Sequence, residues 1–538
     1  MVNKSSRLSM TTVFPRRTSS MKLLVAALLV PFTGWSVAGA GPCGIASLGS
    51  ITTGASLSDD GTVWMWGFRN AGISGLPTNT HAYGNGNPPN QVAFPGGASI
   101  KQLASGAYHF LALTQDGRVY GWGQSGYGEV GCRNTASDPY VRPPCEVPFP
   151  GLKPGDRIVH VAAGEYFSLA LTQQGDLYTW GHDLYGQGGR GDAVAGNAEG
   201  PVLNTAHPSY SNGTKVPRNN ASMQFVPYKV DLGGEQAVVA GAWYEGAMAI
   251  TQSAAGQRHV WGWGDNEAGG LGVPYACGGT PIRGVQCVVR KPARALPAFD
   301  AIASDVTYVS GGNAFGTALL QDAAGSRLVG WGQKAAIGLG TRPDGTPGDT
   351  VAAVLTPQPM RLVDPATGAE SQPVRFFSRY VGNVAIGTDD RLWVWGQGGG
   401  SAFPQIYPAR PTPHGTAHTF PADLDPASAL RSNQRGAKVV NIGGTKEVVY
   451  YQMSDGSTYG VGYASVDSLN PVGVPNAGKA DLDYWGPGGY GGKGTLHGTG
   501  SLESIRFGGV RLSAGGVNAN GGSSDLSCGG DAPPPQYN

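Results

Sequence analysis

Charge is scarce in this chain. Only 14% of its 538 residues are Asp, Glu, Lys or Arg, and 37 basic residues against 36 acidic ones leave a formal net charge of +1. A near-neutral chain lacks the basic field that draws in a phosphate backbone, which argues against nucleic acid as its partner. Long apolar runs are missing as well. The stretch Leu23 to Phe32 is shorter than the roughly 20 apolar residues that a membrane-spanning helix needs. No Gly-x-Ser-x-Gly nucleophile elbow occurs. The segment Gly489 to Thr495 is no phosphate loop, because Pro487 stands where the first Gly is required and Gly follows Lys493. The nine His do not cluster. His414 and His418 are four apart, but they lie among Pro411, Pro413, Gly415 and Pro421, with no Glu placed as a helical zinc-protease motif requires. No catalytic residue, cofactor or metal ligand is therefore assigned, and the chain reads as a non-enzyme.

What is abundant is glycine. There are 88 Gly and 39 Pro, alongside 12 Trp. Such composition without a period would signal low complexity. Here the glycines fall at recurrent turns between short apolar runs. The clearest copy is Ala104 to Gly131. Phe110 to Thr114 is one β-prone run, Gln115-Asp116-Gly117 a turn, and Arg118 to Gly123 a second run ending in Trp122-Gly123. Asp-Gly between two such runs is a strong hairpin signal, because Gly tolerates the positive φ of a tight turn. The unit recurs over residues 162–188. Its Trp-Gly pair recurs at Trp66, Trp122, Trp180, Trp263, Trp331 and Trp395, with a degenerate seventh at Val461-Gly462. The anchors lie 56 to 83 residues apart. Several short strands per repeat, with no helical period, predict one propeller blade per repeat.

These residues resemble the regulator of chromosome condensation repeat. Gly106, His109, Ala112, Leu113, Thr114, Asp116, Gly117, Val119, Tyr120, Trp122 and Gly123 follow its pattern, and the resemblance covers about residues 45–465. It implies an all-β fold: a seven-bladed β-propeller of four-stranded antiparallel blades. Departures are Val461 for Trp, Asp390-Arg391 for Asp-Gly, and insertions in the fourth and fifth turns. Arg190-Gly191-Asp192 has the form of an adhesion tripeptide, but the repeat register accounts for it.

The N-terminal layout is that of an export signal. Met21-Lys22 precedes the apolar run and Ala38-Gly39-Ala40 gives a small-x-small cleavage pattern. Residues 1–40 are expected to be removed, with Met21 a possible true start. An exported chain with an even six Cys suggests disulfides. Spacing favours Cys132–Cys145 and Cys277–Cys287, which leaves Cys43 and Cys528. A propeller must join its first and last blades or expose strand edges. Val510 to Gly515 resembles the first strand of the third repeat and is expected to complete the blade begun by Ile45 to Leu57, so the N- and C-terminal segments would close the ring. A Cys43–Cys528 bridge would then staple it, contributing on the order of 5 kcal/mol by chain entropy. The propeller should span residues 41–528, with 189–229 a polar surface insertion and 529–538 a frayed Pro-rich tail.

Function should reside in what does not repeat. The Trp-Gly tryptophans are expected in the core between blades. The less regular aromatics Tyr108, Tyr166, Trp243, Tyr244, Phe315 and Tyr380 fall near one turn of successive repeats and are the candidate partner-binding residues, since Tyr and Trp anchor many interfaces; their alternative role is to pack the blade rims. The partner is expected to be another protein. An exported family member that inhibits a β-lactamase with one propeller face offers the nearest analogy. The alternatives are a structural or adhesive surface or pilus component, and an enzyme that uses a loop-lined face.

Overall fold

The structure is a computed structural model. It describes residues 90–132, 140–191, 223–275, 287–334, 336–338, 353–363, 369–379 and 382–389. Shorter pieces are 45–46, 53–57, 61–67, 72, 74–76, 392–396, 418–419, 439–444, 448–453, 458–462 and 503–504. Among the described residues the chain is all-β, and no helix is long and apolar enough to cross a membrane.

The strands form successive four-stranded antiparallel sheets, each in chain order. The first holds β1 (Ile45–Ala46), β2 (Thr53–Leu57), β3 (Val63–Gly67) and β4 (Asn90–Gln91). The second holds β5 (Ile100–Ser105), β6 (His109–Thr114), β7 (Val119–Gln124) and β8 (Tyr140–Glu146). The third is β9 (Ile158–Ala163), β10 (Phe167–Thr172), β11 (Leu177–His182) and β12 (Met223–Lys229). The fourth is β13 (Gln236–Trp243), β14 (Gly246–Gln252), β15 (Arg258–Asp265) and β16 (Val288–Arg294), followed by a single-turn helix, α1 (Pro297–Asp300). The fifth is β17 (Val306–Gly312), β18 (Phe315–Asp322), β19 (Gly325–Gln333) and β20 (Ala353–Met360). A two-stranded ladder, β21 (Leu362–Val363) with β22 (Glu370–Ser371), leads to β23 (Pro373–Arg379), β24 (Gly382–Gly387), β25 (Leu392–Gly396) and β26 (His418–Thr419). A last four-stranded sheet is β27 (Val439–Gly444), β28 (Val448–Met453), β29 (Thr458–Gly462) and β30 (Glu503–Ser504).

Every Trp-Gly anchor, and Val461-Gly462, lies in the third strand of its sheet. The best-preserved unit shows why. Phe110 pairs across the ladder with Trp122, and their rings stack with centroids 5.3 Å apart. Gly117 turns the chain with φ +88°, donating its N–H to the Thr114 carbonyl at 3.1 Å. After the Trp, Gly123 takes φ +106°, and a Cβ there would lie 2.4 Å from the Tyr108 carbonyl oxygen. Only Gly fits, which is the reason for the pair.

Burial runs along both faces of β5, β6, β7, β10 and β11. An antiparallel sheet with one wet face would alternate, so these sheets are covered on both sides by their neighbours. Trp122, Trp180, Trp263 and Trp331 are at most 1% exposed, as their expected core position requires. Trp331 donates its indole N–H to the Gly270 carbonyl at 2.8 Å and Trp263 donates to Gln187 at 3.0 Å, so each bonds the tail of the preceding sheet.

The fourth strands were not legible beforehand. β8, β12, β16 and β20 all contain Pro and are the outer strands of their sheets, where a missing N–H does no harm. Consequently the insertion expected over 189–229 is shorter. Gly189 to Gly191 still belongs to the packed tail, and Met223–Lys229 is β12. The first sheet takes its four strands from residues 45–91, while Glu503–Ser504 pairs with β29 of the last sheet. The closing strand expected at Val510 to Gly515 lies outside the described residues. So do Cys43, Cys528 and the tail 529–538. Cys132 and Cys145 are joined as expected. Cys287 is disulfide-bonded too, and Cys277, its expected partner, lies outside the described residues.

Candidate interaction surface

The two ends of the sheets differ in how they handle charge. At the end carrying the Asp-Gly-type turns, charges are paired, most of them at the surface. Arg118 contacts Asp116 at 2.8 Å, Lys153 and Lys229 both reach Asp176, Arg294 meets Asp300, and Arg327 bridges Asp305 and Asp322. Such exposed pairs are each worth about 0–1 kcal/mol. They leave a surface of mixed sign.

The opposite end is built from the hairpins joining first to second strands, together with the tails that follow third strands. Its backbone is bonded from sheet to sheet. The Ala107 N–H donates to the Glu165 carbonyl at 2.7 Å, and the Glu165 N–H donates to the Tyr244 carbonyl. Within each sheet the third strand ties back to the same hairpin: Gln124 N–H to the Tyr108 carbonyl, His182 to Tyr166, Asp265 to Glu245 and Gln333 to Ala314. Tyr244 and Ala314 hold left-handed φ values of 40° and 68°, a conformation that costs a non-glycine residue on the order of 1–3 kcal/mol. This end is a preorganised platform.

The predicted aromatics divide on it. Tyr166, Trp243 and Phe315 are 4%, 3% and 0% exposed. Tyr166 packs beside Ala107, Tyr127 and Phe225. Trp243 joins the core shared by the fourth and fifth sheets, and Phe315 joins that of the fifth and sixth. Each follows the apolar side of a sheet into its neighbour, so these three serve as packing residues rather than surface anchors. Tyr108 and Tyr244 remain half-exposed, with the Tyr108 ring 6.5 Å from that of Tyr166. Tyr380 lies outside the described residues.

Carboxylates gather on the same platform, and sequence reading had not singled them out. Glu165, Glu245, Asp265 and Glu267 come from hairpins and tails of two adjacent sheets. Glu245 is 9% and Glu267 8% exposed. Burial first, then the charges of Glu165, Asp265 and Glu267, push the Glu245 carboxyl well above the usual range. Burial and Glu267 raise Asp265 to about 6, although its Oδ1 accepts the N–H groups of Glu267 and Cys287 at 3.1 Å each. Among the described residues, no group of three or more His, Cys, Asp or Glu is placed to hold a metal ion. Next along this end, the Arg190 guanidinium is buried against Asp183 at 2.7 Å, both side chains at most 5% exposed. Arg190 of Arg190-Gly191-Asp192 is thus held within the packed tail, while Asp192 lies outside the described residues.

His109 is fully buried, with Nε2 2.9 Å from Ser168 Oγ in the next sheet. Desolvation lowers it, and likewise His182, to about 3. Both are neutral structural imidazoles.

Comparison with known proteins agrees with this geometry. Residues 100–129 and 158–187, and overlapping residues 116–171, match models of the regulator of chromosome condensation (RCC1) repeat. The repeats are RCC1-like. The chain is 37% identical over 136 residues to human E3 ubiquitin-protein ligase HERC2, covering 25% of this chain and 3% of that protein. It is 29% identical over 255 residues to the Arabidopsis thaliana ultraviolet-B receptor UVR8, covering 42% of this chain and 54% of the receptor. The chain thus spans only part of these relatives. In fold it is similar to human WBSCR16 (TM-score 0.55, 16% identity, 83% of this chain and 95% of that one). It is also similar to Prp20p of Saccharomyces cerevisiae (TM-score 0.52, 17% identity, 86% and 87%), whose structure was described with its binding to Gsp1p and histones.

Proposed function

We propose that this chain is an exported, non-enzymatic β-propeller scaffold that binds another protein through its hairpin end. The observation that carries the reading is the contrast between the two ends. One has its charges paired near the turns, whereas the other presents a backbone-linked platform with half-exposed Tyr108 and Tyr244. Prp20p binds Gsp1p and histones, so the architecture is compatible with recognition of a protein surface.

The finer architecture belongs to the same proposal: seven blades, closed into a ring. It is supported by the seven anchors, one per sheet, by contacts between the first strands of successive sheets from β5 to β27, and by β1 lying against β27. Export rests on the sequence of residues 21–40 and on the disulfides. Affinity capture from secreted and surface fractions tests the function. Wild type is expected to retain one dominant protein, and Tyr108→Ala with Tyr244→Ala to lose it while keeping the wild-type melting temperature. Undiminished capture by that folded double variant would contradict the assignment of the hairpin end.

A further inference from the structure

We infer that Ile505-Arg506-Phe507 is the connector that joins the last sheet to the first, with the Phe507 ring packed edge-on against Trp64. The inference deepens the ring closure proposed above and rests on it. Residues 505–507 themselves lie outside the described residues; the device assigned to them recurs throughout those that are described.

A sheet passes to the next through a connector with two fixed contacts. First, the residue that follows the outer strand donates its backbone N–H to the third strand of its own sheet. Val92 donates to the Val63 carbonyl, Val147 to Val119, Val230 to Leu177 and Ala295 to Val260, each at 2.8 Å. Second, an apolar side chain two residues on crosses to the sheet that comes next. Phe94 meets Tyr120 and Trp122 edge-on, with centroids 5.7 and 5.6 Å apart. Phe149 meets Tyr178 and Trp180 in the same way, at 5.5 and 5.6 Å. Edge-to-face contact is a preferred aromatic geometry, because the positive ring edge faces the negative ring face. Aliphatic side chains also serve: Leu232 shares a core with Trp263, and Leu362 with Trp393.

The last sheet stands in register for the same device. Tyr459 pairs with Ser504 as Tyr120 pairs with Glu146 and Tyr178 with Lys229. Ile505 therefore takes the place of Val147 and Val230, and Phe507 that of Phe149 and Leu232. Phe507 is three residues beyond Ser504, a span of at most about 10 Å, just as Phe149 is three beyond Glu146. The receiving position exists as well. Trp64 of the first sheet pairs with Gln91, which makes it the counterpart of Tyr120 and Tyr178. Those two, covered by Phe94 and Phe149, are 1% and 0% exposed, whereas Trp64 is half-exposed. With β1 lying against β27, the sheet before the first is the last one, so the side chain that covers Trp64 comes from the chain leaving β30.

The test places a photoreactive benzophenone at the connector, as Phe507→p-benzoylphenylalanine in the full chain, and maps the adducts by mass spectrometry after irradiation. An adduct within the same molecule, in residues 61–67, is expected. Adducts confined to other sheets or to a second molecule, or no adduct at all, overturn the connector. Hydrogen–deuterium exchange gives a second reading. Phe507→Ala should speed exchange of β2 and β3 at least about tenfold and leave β10 and β11 unchanged. Phe507→Leu should keep the wild-type rates, since Leu232 and Leu362 fill the equivalent place, and Phe507→Ala should add nothing to Trp64→Ala. Unchanged exchange of β2 and β3 in folded Phe507→Ala overturns the contact with Trp64. If Phe507→Ala fails to fold, the cross-link and Phe507→Leu decide. Adducts elsewhere, with β2 and β3 of wild type as protected as β10, would remove the connector and leave the ring. Unprotected β2 and β3 in wild type would remove the ring itself.

Discussion

The indole N–H of Trp331 donates to the carbonyl of Gly270 at 2.8 Å, joining the third strand of one sheet to the tail of the sheet before it. A Trp-Gly pair is thus an inter-sheet device: the ring fills the gap between sheets, its N–H bonds the tail, and the following Gly lets the strand bend back onto its own hairpin. Trp331→Ala should cost about 3–5 kcal/mol from cavity formation and lost packing. Urea unfolding followed by intrinsic fluorescence measures it. A loss below about 1 kcal/mol would show that the sheets do not depend on this contact.

Gly123 makes a sharper point about the pair. Alanine there would hold its Cβ 2.4 Å from the Tyr108 carbonyl oxygen, at φ +106°. Gly123→Ala is expected to destabilise by more than the roughly 1–3 kcal/mol of backbone strain alone. Gly151→Ala serves as the comparison, since it shares a positive φ but meets open space and should lose only the conformational part. Chemical denaturation of the two variants side by side gives the difference.

Acid should act on the fold in two opposed ways. His109 and His182 are lowered to about 3 from 6.5, so the unfolded chain binds their protons first and stability falls as pH drops through that window. Asp265, raised to about 6 from 3.8, and Glu245, also raised, take up protons first in the folded chain. They stabilise it as pH falls through theirs. Each group contributes a slope of up to about 1.4 kcal/mol per pH unit. The wild-type melting temperature should therefore change little between about pH 6 and 4. Glu245→Gln with Asp265→Asn should fall steeply there, as thermal melts across that range will show; parallel profiles for the two proteins would contradict the assignment.

The disulfides make a covalent prediction. Non-reducing peptide mapping should recover Cys132 linked to Cys145, Cys277 to Cys287, and Cys43 to Cys528. Free Cys43 and Cys528 thiols would remove the staple from the proposed ring closure.

The sequence carried the fold through its repeated residues. Trp122, Gly123 and Asp116-Gly117 exposed the first three strands of each sheet because each does a local job that recurs. The outer strands were hidden, since Pro143, Pro227, Pro292 and Pro357 read as loop and only an edge position makes them acceptable. The surface was partly legible. Tyr108 and Tyr244 stand half-exposed, whereas Trp243, the last residue of β13, and Phe315, the first of β18, turn into the cores shared with the neighbouring sheets. Glu165, Glu245, Asp265 and Glu267 could not be grouped beforehand. They are up to about a hundred residues apart along the chain and meet only because the Glu165 and Tyr244 backbones bond.

The most direct measurement is hydrogen–deuterium exchange on the complex with the captured protein, read at both ends of the sheets. The account predicts slowed exchange on binding at the hairpin end, over residues 106–108, 164–166, 244–245 and 265–273, with no change at the turns 115–118, 173–176 and 322–326. Protection confined to those turns, with the hairpins unaffected, would contradict it.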